Sequence, residues 1–120
     1  MWEEELQRML TAVLVDDEVH SSELLREMLE ETGLWSVQAV FDRCSTFLDW
    51  MTKEGHQAQV AFLDIGMPVM SGIELASRLR RISPAMEIVF ITGSRDFALA
   101  AYDVQAVGYL VKPALAQDIL

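Results

Sequence analysis

Four apolar runs in this 120-residue chain each give way abruptly to polar residues of distinct chemistry. VLV is followed by Asp16-Asp17-Glu18, VAFL by Asp64, FI by Thr92 and GYLV by Lys112-Pro113. Carboxylates held close together cannot all stay ionised without a counter-charge. A converging Asp16, Asp17 and Asp64 would therefore either titrate at raised pH or gather around a hard cation. Magnesium suits such a set, because it takes one or two carboxylates and completes its shell with water and phosphate oxygens. A hydroxyl such as Thr92 and an ammonium such as Lys112 are groups that hold phosphate oxygens in place. Taken singly the fragments are ordinary: Asp16-Asp17-Glu18 reads as a solvated loop or helix start, and Lys112-Pro113 as a helix boundary. The chemistry depends on a fold that brings them together.

The apolar pattern alternates between short continuous runs and helical spacing, without repeats or low-complexity tracts. Thr11–Val15 predicts a first strand, and Leu24, Leu25, Met28 and Leu29 a helix that stops at Gly33. Ser36–Phe41 predicts a second strand, and Phe47, Leu48 and Met51 a second helix ending near Gly55. Val60–Leu63 and Ile88–Ile91 are continuously apolar, as strands covered on both faces in a parallel sheet are. Between them Ile73, Leu75, Ala76, Leu79 and Ile82 predict a third helix closed by Ser83-Pro84. A fourth helix is expected over about 95–104 and a fifth strand over Gly108–Val111, with Pro113 opening a last helix. Five β/α units predict an α/β fold with a doubly wound parallel sheet. Such sheets bind ligands outside the carboxyl ends of their strands, where Asp16, Asp17, Asp64, Thr92 and Lys112 all fall.

Composition excludes several classes. Nine Lys and Arg against nineteen Asp and Glu give a formal charge of −10, a field that repels phosphate backbones and anionic membranes, so direct nucleic-acid binding by this segment is not expected. The 52% apolar and 23% charged content is that of a globular domain. No apolar run approaches the ~18 residues of a membrane span, and the acidic start Met1–Glu5 is unlike a signal peptide. Cys44 is the single cysteine, which precludes an internal disulfide and favours a reducing, cytoplasmic location. His20 and His56 lack partners at metal-ligand spacing and read as surface residues, while Met67 and Met70 read as packing. Trp2, Leu6, Met9 and Leu10 stand at helical spacing; residues 1–9 are either an N-terminal extension or a vector remnant ahead of one domain over 10–120.

The fragments VLVDDE, LDIGMPVMSG, FITG and GYLVKP, in that order at successive strand ends, resemble the signature set of response-regulator receiver domains, over about residues 10–116. These are the CheY-like phospho-acceptor domains of two-component systems. The resemblance implies a flavodoxin-like five-stranded sheet of order 2-1-3-4-5, and Asp64 as acceptor of a phosphoryl group from a sensor histidine kinase or phosphotransfer protein. It implies Mg²⁺ held directly by Asp17 and Asp64, with Asp16 acting mostly through water and Gly66 supplying a backbone carbonyl. Thr92 and Lys112 match the residues that bind phosphoryl oxygens, Lys112-Pro113 matches a cis peptide, and Tyr109 falls at the aromatic switch position. Met67-Pro68 and Gly72 match the loop leaving the site. Gly93 departs from the more usual Ala after the Thr, and its small size keeps the phosphoryl oxygens reachable. Only Ala114–Leu120 follow Pro113, where the family has a helix of several turns. The chain therefore reads as the front part of a longer regulator, its final helix incomplete, with a C-terminal effector expected to be transcriptional. The run FALAAYDVQAVGYLVKP resembles receivers joined to LytTR-type domains.

Two rival classes share parts of this pattern. An aspartyl-nucleophile phosphatase also places an Asp after a parallel strand, but wants a second acid two residues later, where this chain has Gly66. A receiver-like interaction module that works without phosphorylation is the alternative reading, typical where the acidic pair or the Lys is missing; all are present here. The chain is thus expected to be a switch that catalyses its own phosphoryl transfer and autodephosphorylation, not an enzyme with a separate substrate. Phe97, Leu99 and Tyr102 give the fourth helix more apolar side chain than one buried face requires, which predicts a homodimer through helix four, strand five and the last helix.

Overall fold

A computed structural model describes residues 9–53 and 56–112; most of the N-terminal extension, Gly55, Pro113 with its peptide bond, and the expected last helix lie outside the described residues. Five strands form one all-parallel sheet: β1 (Leu10–Val15), β2 (Trp35–Phe41), β3 (Val60–Asp64), β4 (Glu87–Thr92) and β5 (Gly108–Val111). Their order is β2-β1-β3-β4-β5, the doubly wound arrangement expected. The chain leaves β1 toward one edge and returns as β3 on the other side. The order therefore reverses at β1 and β3, and a crevice opens beyond their carboxyl ends. Among the described residues four helices make the connections: α1 (Val19–Glu31), α2 (Cys44–Met51), α3 (Gly72–Ile82) and α4 (Ala98–Asp103).

Strand side chains alternate between two cores, one on each face of the sheet. Val13, Val15, Ala61, Leu63, Ile88 and Phe90 face α2, α3 and α4, against Phe47, Met51, Leu75, Leu79 and Ala101. Ala12, Leu14, Phe62 and Ile91 face α1, against Leu25 and Leu29. All five residues of β3 are buried, Asp64 included, which accounts for the unbroken apolar run before it. Met67 and Met70 pack on the first core, as expected.

Local signals set the helix ends. Gly33 takes φ +73 after α1, and its N–H donates to the Glu30 carbonyl. Ser71 caps α3 by accepting from the Glu74 amide at 3.2 Å. The fourth helix is shorter than the expected 95–104. It begins only at Ala98, and in the segment before it the Asp96 amide donates to Ser94 Oγ and the Phe97 amide to Tyr109 Oη. His56 is not a surface residue: it is half-buried, with its ring centroid 5.0 Å from that of Trp50. His20 is exposed.

Candidate functional site

Asp16 follows the last residue of β1 and extends that strand's ladder, its amide donating to the Phe41 carbonyl at 3.0 Å. It is 4% exposed. Its Oδ1 accepts from the Glu18 amide at 2.9 Å, a two-residue turn that aims Oδ2 into the crevice, 3.1 Å from Lys112 Nζ. Asp64 ends β3, beside β1, and its Oδ2 lies 3.5 Å from the same ammonium. Lys112 follows Val111, the partner of Thr92 in the register, and continues the β4–β5 pairing by one residue through its amide to the Thr92 carbonyl at 2.7 Å, which fixes the root of its side chain. Thr92 itself is buried, and its Oγ1 accepts from the Ser94 amide at 3.4 Å.

The structure thus places Asp16, Asp17, Asp64, Thr92 and Lys112 at one edge of the sheet. It adds Glu18, to which the sequence assigns no role: this exposed carboxylate holds Lys112 Nζ at 3.0 Å. Its adjacency to the acidic pair was the available signal. Carboxylate oxygens of Asp16, Asp17, Glu18 and Asp64 all lie within 4.8 Å of one another. Gly66 follows in the exposed β3–α3 loop, where its missing side chain leaves open space.

Electrostatics follow from this crowding. Burial, then the negative charge of Asp16, and hydrogen bonds to Asp17 and Asp16 push the Asp64 carboxyl from 3.8 up to about 7, although Lys112 pulls it the other way. Burial by itself would lower the Lys112 ammonium, but its hydrogen bonds to Glu18 and Asp16 and the charges of Asp16 and Asp64 outweigh it, so its pKa is raised. A carboxyl kept from ionising by its neighbours is relieved by added positive charge. The oxygen-only donor set fits Mg²⁺, with Asp16, Asp17, Glu18 and Asp64 the groups able to hold it.

Tyr109, on β5, packs half-buried on the first core. Its hydroxyl donates to the Ser94 carbonyl at 2.5 Å and accepts from the Phe97 amide at 3.3 Å, so it bridges both ends of the loop between Thr92 and α4. The loop after Asp64 is equally constrained: the amides of Met67 and Gly72 both donate to the Ile65 carbonyl.

Residues 12–120 match the family model of the response regulator receiver domain. An uncharacterized response regulatory protein of Vibrio cholerae is 39% identical over 104 residues, covering 86% of this chain and 39% of that protein. The sensory transduction protein LytT of Bacillus anthracis is 31% identical over 105 residues, covering 88% of this chain and 42% of that protein. The chain spans about two fifths of the length of these relatives. Among solved structures, the response regulator protein TrrA of Thermotoga maritima, in complex with Mg²⁺ and BeF, superposes with a TM-score of 0.73 at 28% identity over 87% of each chain.

Proposed function

The chain belongs to the response regulator receiver family of two-component systems, and from that premise we propose that it is a phosphorylation switch whose acceptor is Asp64. The observation that carries this reading is the Lys112 ammonium, 3.1 and 3.5 Å from Asp16 and Asp64 within a four-carboxylate cluster at the crevice of the sheet. An acyl phosphate forms when an Asp64 oxygen attacks phosphorus as the bond from phosphorus to the donor imidazole breaks; the imidazole leaves with the electron pair and takes a proton from water. A carboxylate needs no deprotonation step to attack, but it must be ionised, and Lys112 favours that state. When bound, Mg²⁺ supplies further positive charge for the phosphoryl oxygens at this site. Asp16, Asp17 and the Gly66 carbonyl are the remaining groups to hold it, with Asp64. Lys112 is placed to follow the new charge, and the Thr92 hydroxyl to donate to a phosphoryl oxygen.

In this reading the donor is a sensor histidine kinase or a phosphotransfer protein, the receiver occupies residues 10–120, and the location is cytoplasmic. The greater length of the relatives supports an attached effector, and the likeness to LytT supports a regulator of that kind. Incubation with acetyl phosphate and Mg²⁺ tests the switch. Wild type is expected to gain one phosphate and Asp64→Asn none. Uptake by that variant at the wild-type rate would move the site elsewhere, and no uptake by wild type would favour the phosphorylation-independent module.

A further inference from the structure

Arg80, in the last turn of α3, spends its guanidinium on main-chain oxygens. Nε donates to the Val104 carbonyl at 3.0 Å and Nη2 to the Gln105 carbonyl at 2.8 Å, while Nη1 donates to the carbonyls of Pro84, at 3.2 Å, and Met86. Four carbonyls from two segments thus converge on one planar cation. Pro84 and Met86 belong to the turn between α3 and β4, and Val104 and Gln105 to the carboxyl end of α4.

That end of α4 needs such a partner. It closes with the Ala106 amide on the Ala101 carbonyl and the Gln105 amide on the Tyr102 carbonyl, a closure that requires a left-handed residue between helix and strand. Glycine usually fills that place, but here Gln105 does so at φ 60. The carboxyl end of a helix carries partial negative charge, and a cation bonded to the carbonyls of the C-cap Val104 and of Gln105 just beyond it favours the turn despite the strained residue. The amino end of α4 is held differently. Phe97 gives no side-chain cap, and its amide is met by the Tyr109 hydroxyl, itself bonded to Ser94 just past Thr92.

We propose that Arg80 is the positioning residue of α4: it clamps the carboxyl end of the helix to the α3–β4 turn, so that a change at Thr92 and Tyr109 swings the amino end about a fixed hinge at Val104–Gln105. The role deepens the phosphorylation reading and rests on it. A lysine cannot replace Arg80, because a point charge lacks the fork that reaches carbonyls in both segments.

Amide hydrogen exchange on the chain, with and without Mg²⁺ and beryllium fluoride, tests the hinge. Wild type with the mimic is expected to change at Ser94–Leu99 and to keep its protection at Val104–Val107. Arg80→Gln and Arg80→Lys should exchange at least tenfold faster at Val104–Val107 before any mimic is added, and with it their changes should extend across α4. Gln105→Gly, which removes the strain, should restore most of the protection in Arg80→Gln. Acetyl phosphate uptake should stay within about twofold of wild type in each variant. Unchanged exchange at Val104–Val107 in Arg80→Gln would overturn the clamp, and a wild-type response as large at Val104–Val107 as at Ser94–Leu99 would overturn the hinge. The exchange rates without mimic do not depend on phosphate, so a wild type that takes up none would count against the phosphorylation reading and leave the measured clamp standing.

Discussion

Asp64 is a carboxyl that the folded chain keeps partly protonated at neutral pH, which makes the acidic site a cost to stability. Its pKa is about 7 in the folded chain against 3.8 in the ordinary carboxyl. Between those pH values the folded state holds a proton that the unfolded state has lost, so stability falls as pH rises from about 4 to about 7 and stays low above. A tenfold weakening of a carboxylic acid on folding costs about 1.4 kcal/mol, and the cost of burying the polar amide of an Asn at this position offsets part of the gain from removing the charge. Asp64→Asn is therefore expected to be more stable than wild type by roughly 2 kcal/mol at pH 8 without divalent ions, with the difference vanishing below about pH 4. Urea denaturation across that range measures it. Millimolar Mg²⁺ should narrow the gap by stabilising wild type alone. Equal midpoints at pH 8 would mean that the site carries no such electrostatic cost.

The β3–α3 loop shows how a local backbone requirement positions Asp64. A Cβ on Gly72 would fall on the Asp64 carbonyl oxygen and 2.8 Å from both the Asp64 carbonyl carbon and Ile65 Cα, all backbone atoms with nowhere to go. Gly72→Ala is expected to cost more than about 2 kcal/mol and to displace Asp64, lowering phosphate uptake even where the protein remains folded. In the same loop Val69 is fully exposed with φ 71, a conformation unfavourable to a β-branched residue. Val69→Asn should add about 1 kcal/mol of stability, since Asn tolerates that region. Thermal melts of the two variants should move in opposite directions. At this scale the sequence was largely legible. Continuous apolar runs marked β3 and β4 because both faces are covered, and Gly33 and Ser83 marked helix ends through backbone geometry. The start of α4 was not legible, because the segment before it is held by Tyr109, a residue twelve positions away that only the fold brings to Phe97. Nor was Arg80, whose partners are carbonyls and leave no trace in residue identity. The polar residues at the strand ends were readable because parallel topology sends them to one edge; Glu18 escaped because a helix start and an ion pair look alike in sequence.

Across the whole molecule, charge and exposed apolar surface act against each other. A net charge of −10 makes two copies repel, while α4 and the approach to β5 expose Leu99 at 82%, Tyr102 at 80%, Val107 at 63% and Phe97 at 41%. Exposed large apolar side chains gathered on one element mark an interaction surface, and Tyr109 and its loop connect that surface to Thr92. Phosphate on Asp64 can shift association only by favouring one arrangement of that face over another. The expectation is a self-associating face whose dimer strengthens with Mg²⁺ and beryllium fluoride and with added salt, because ions screen the repulsion without weakening apolar contact. Tyr102→Glu places a charge in the centre of the face and should weaken the dimer by about tenfold or more, roughly the value of one desolvated aromatic contact. Sedimentation velocity on the chain measures this, over a range of concentration and salt. The same mass with and without the mimic, in wild type and in Tyr102→Glu alike, would assign the exposed face to a different partner.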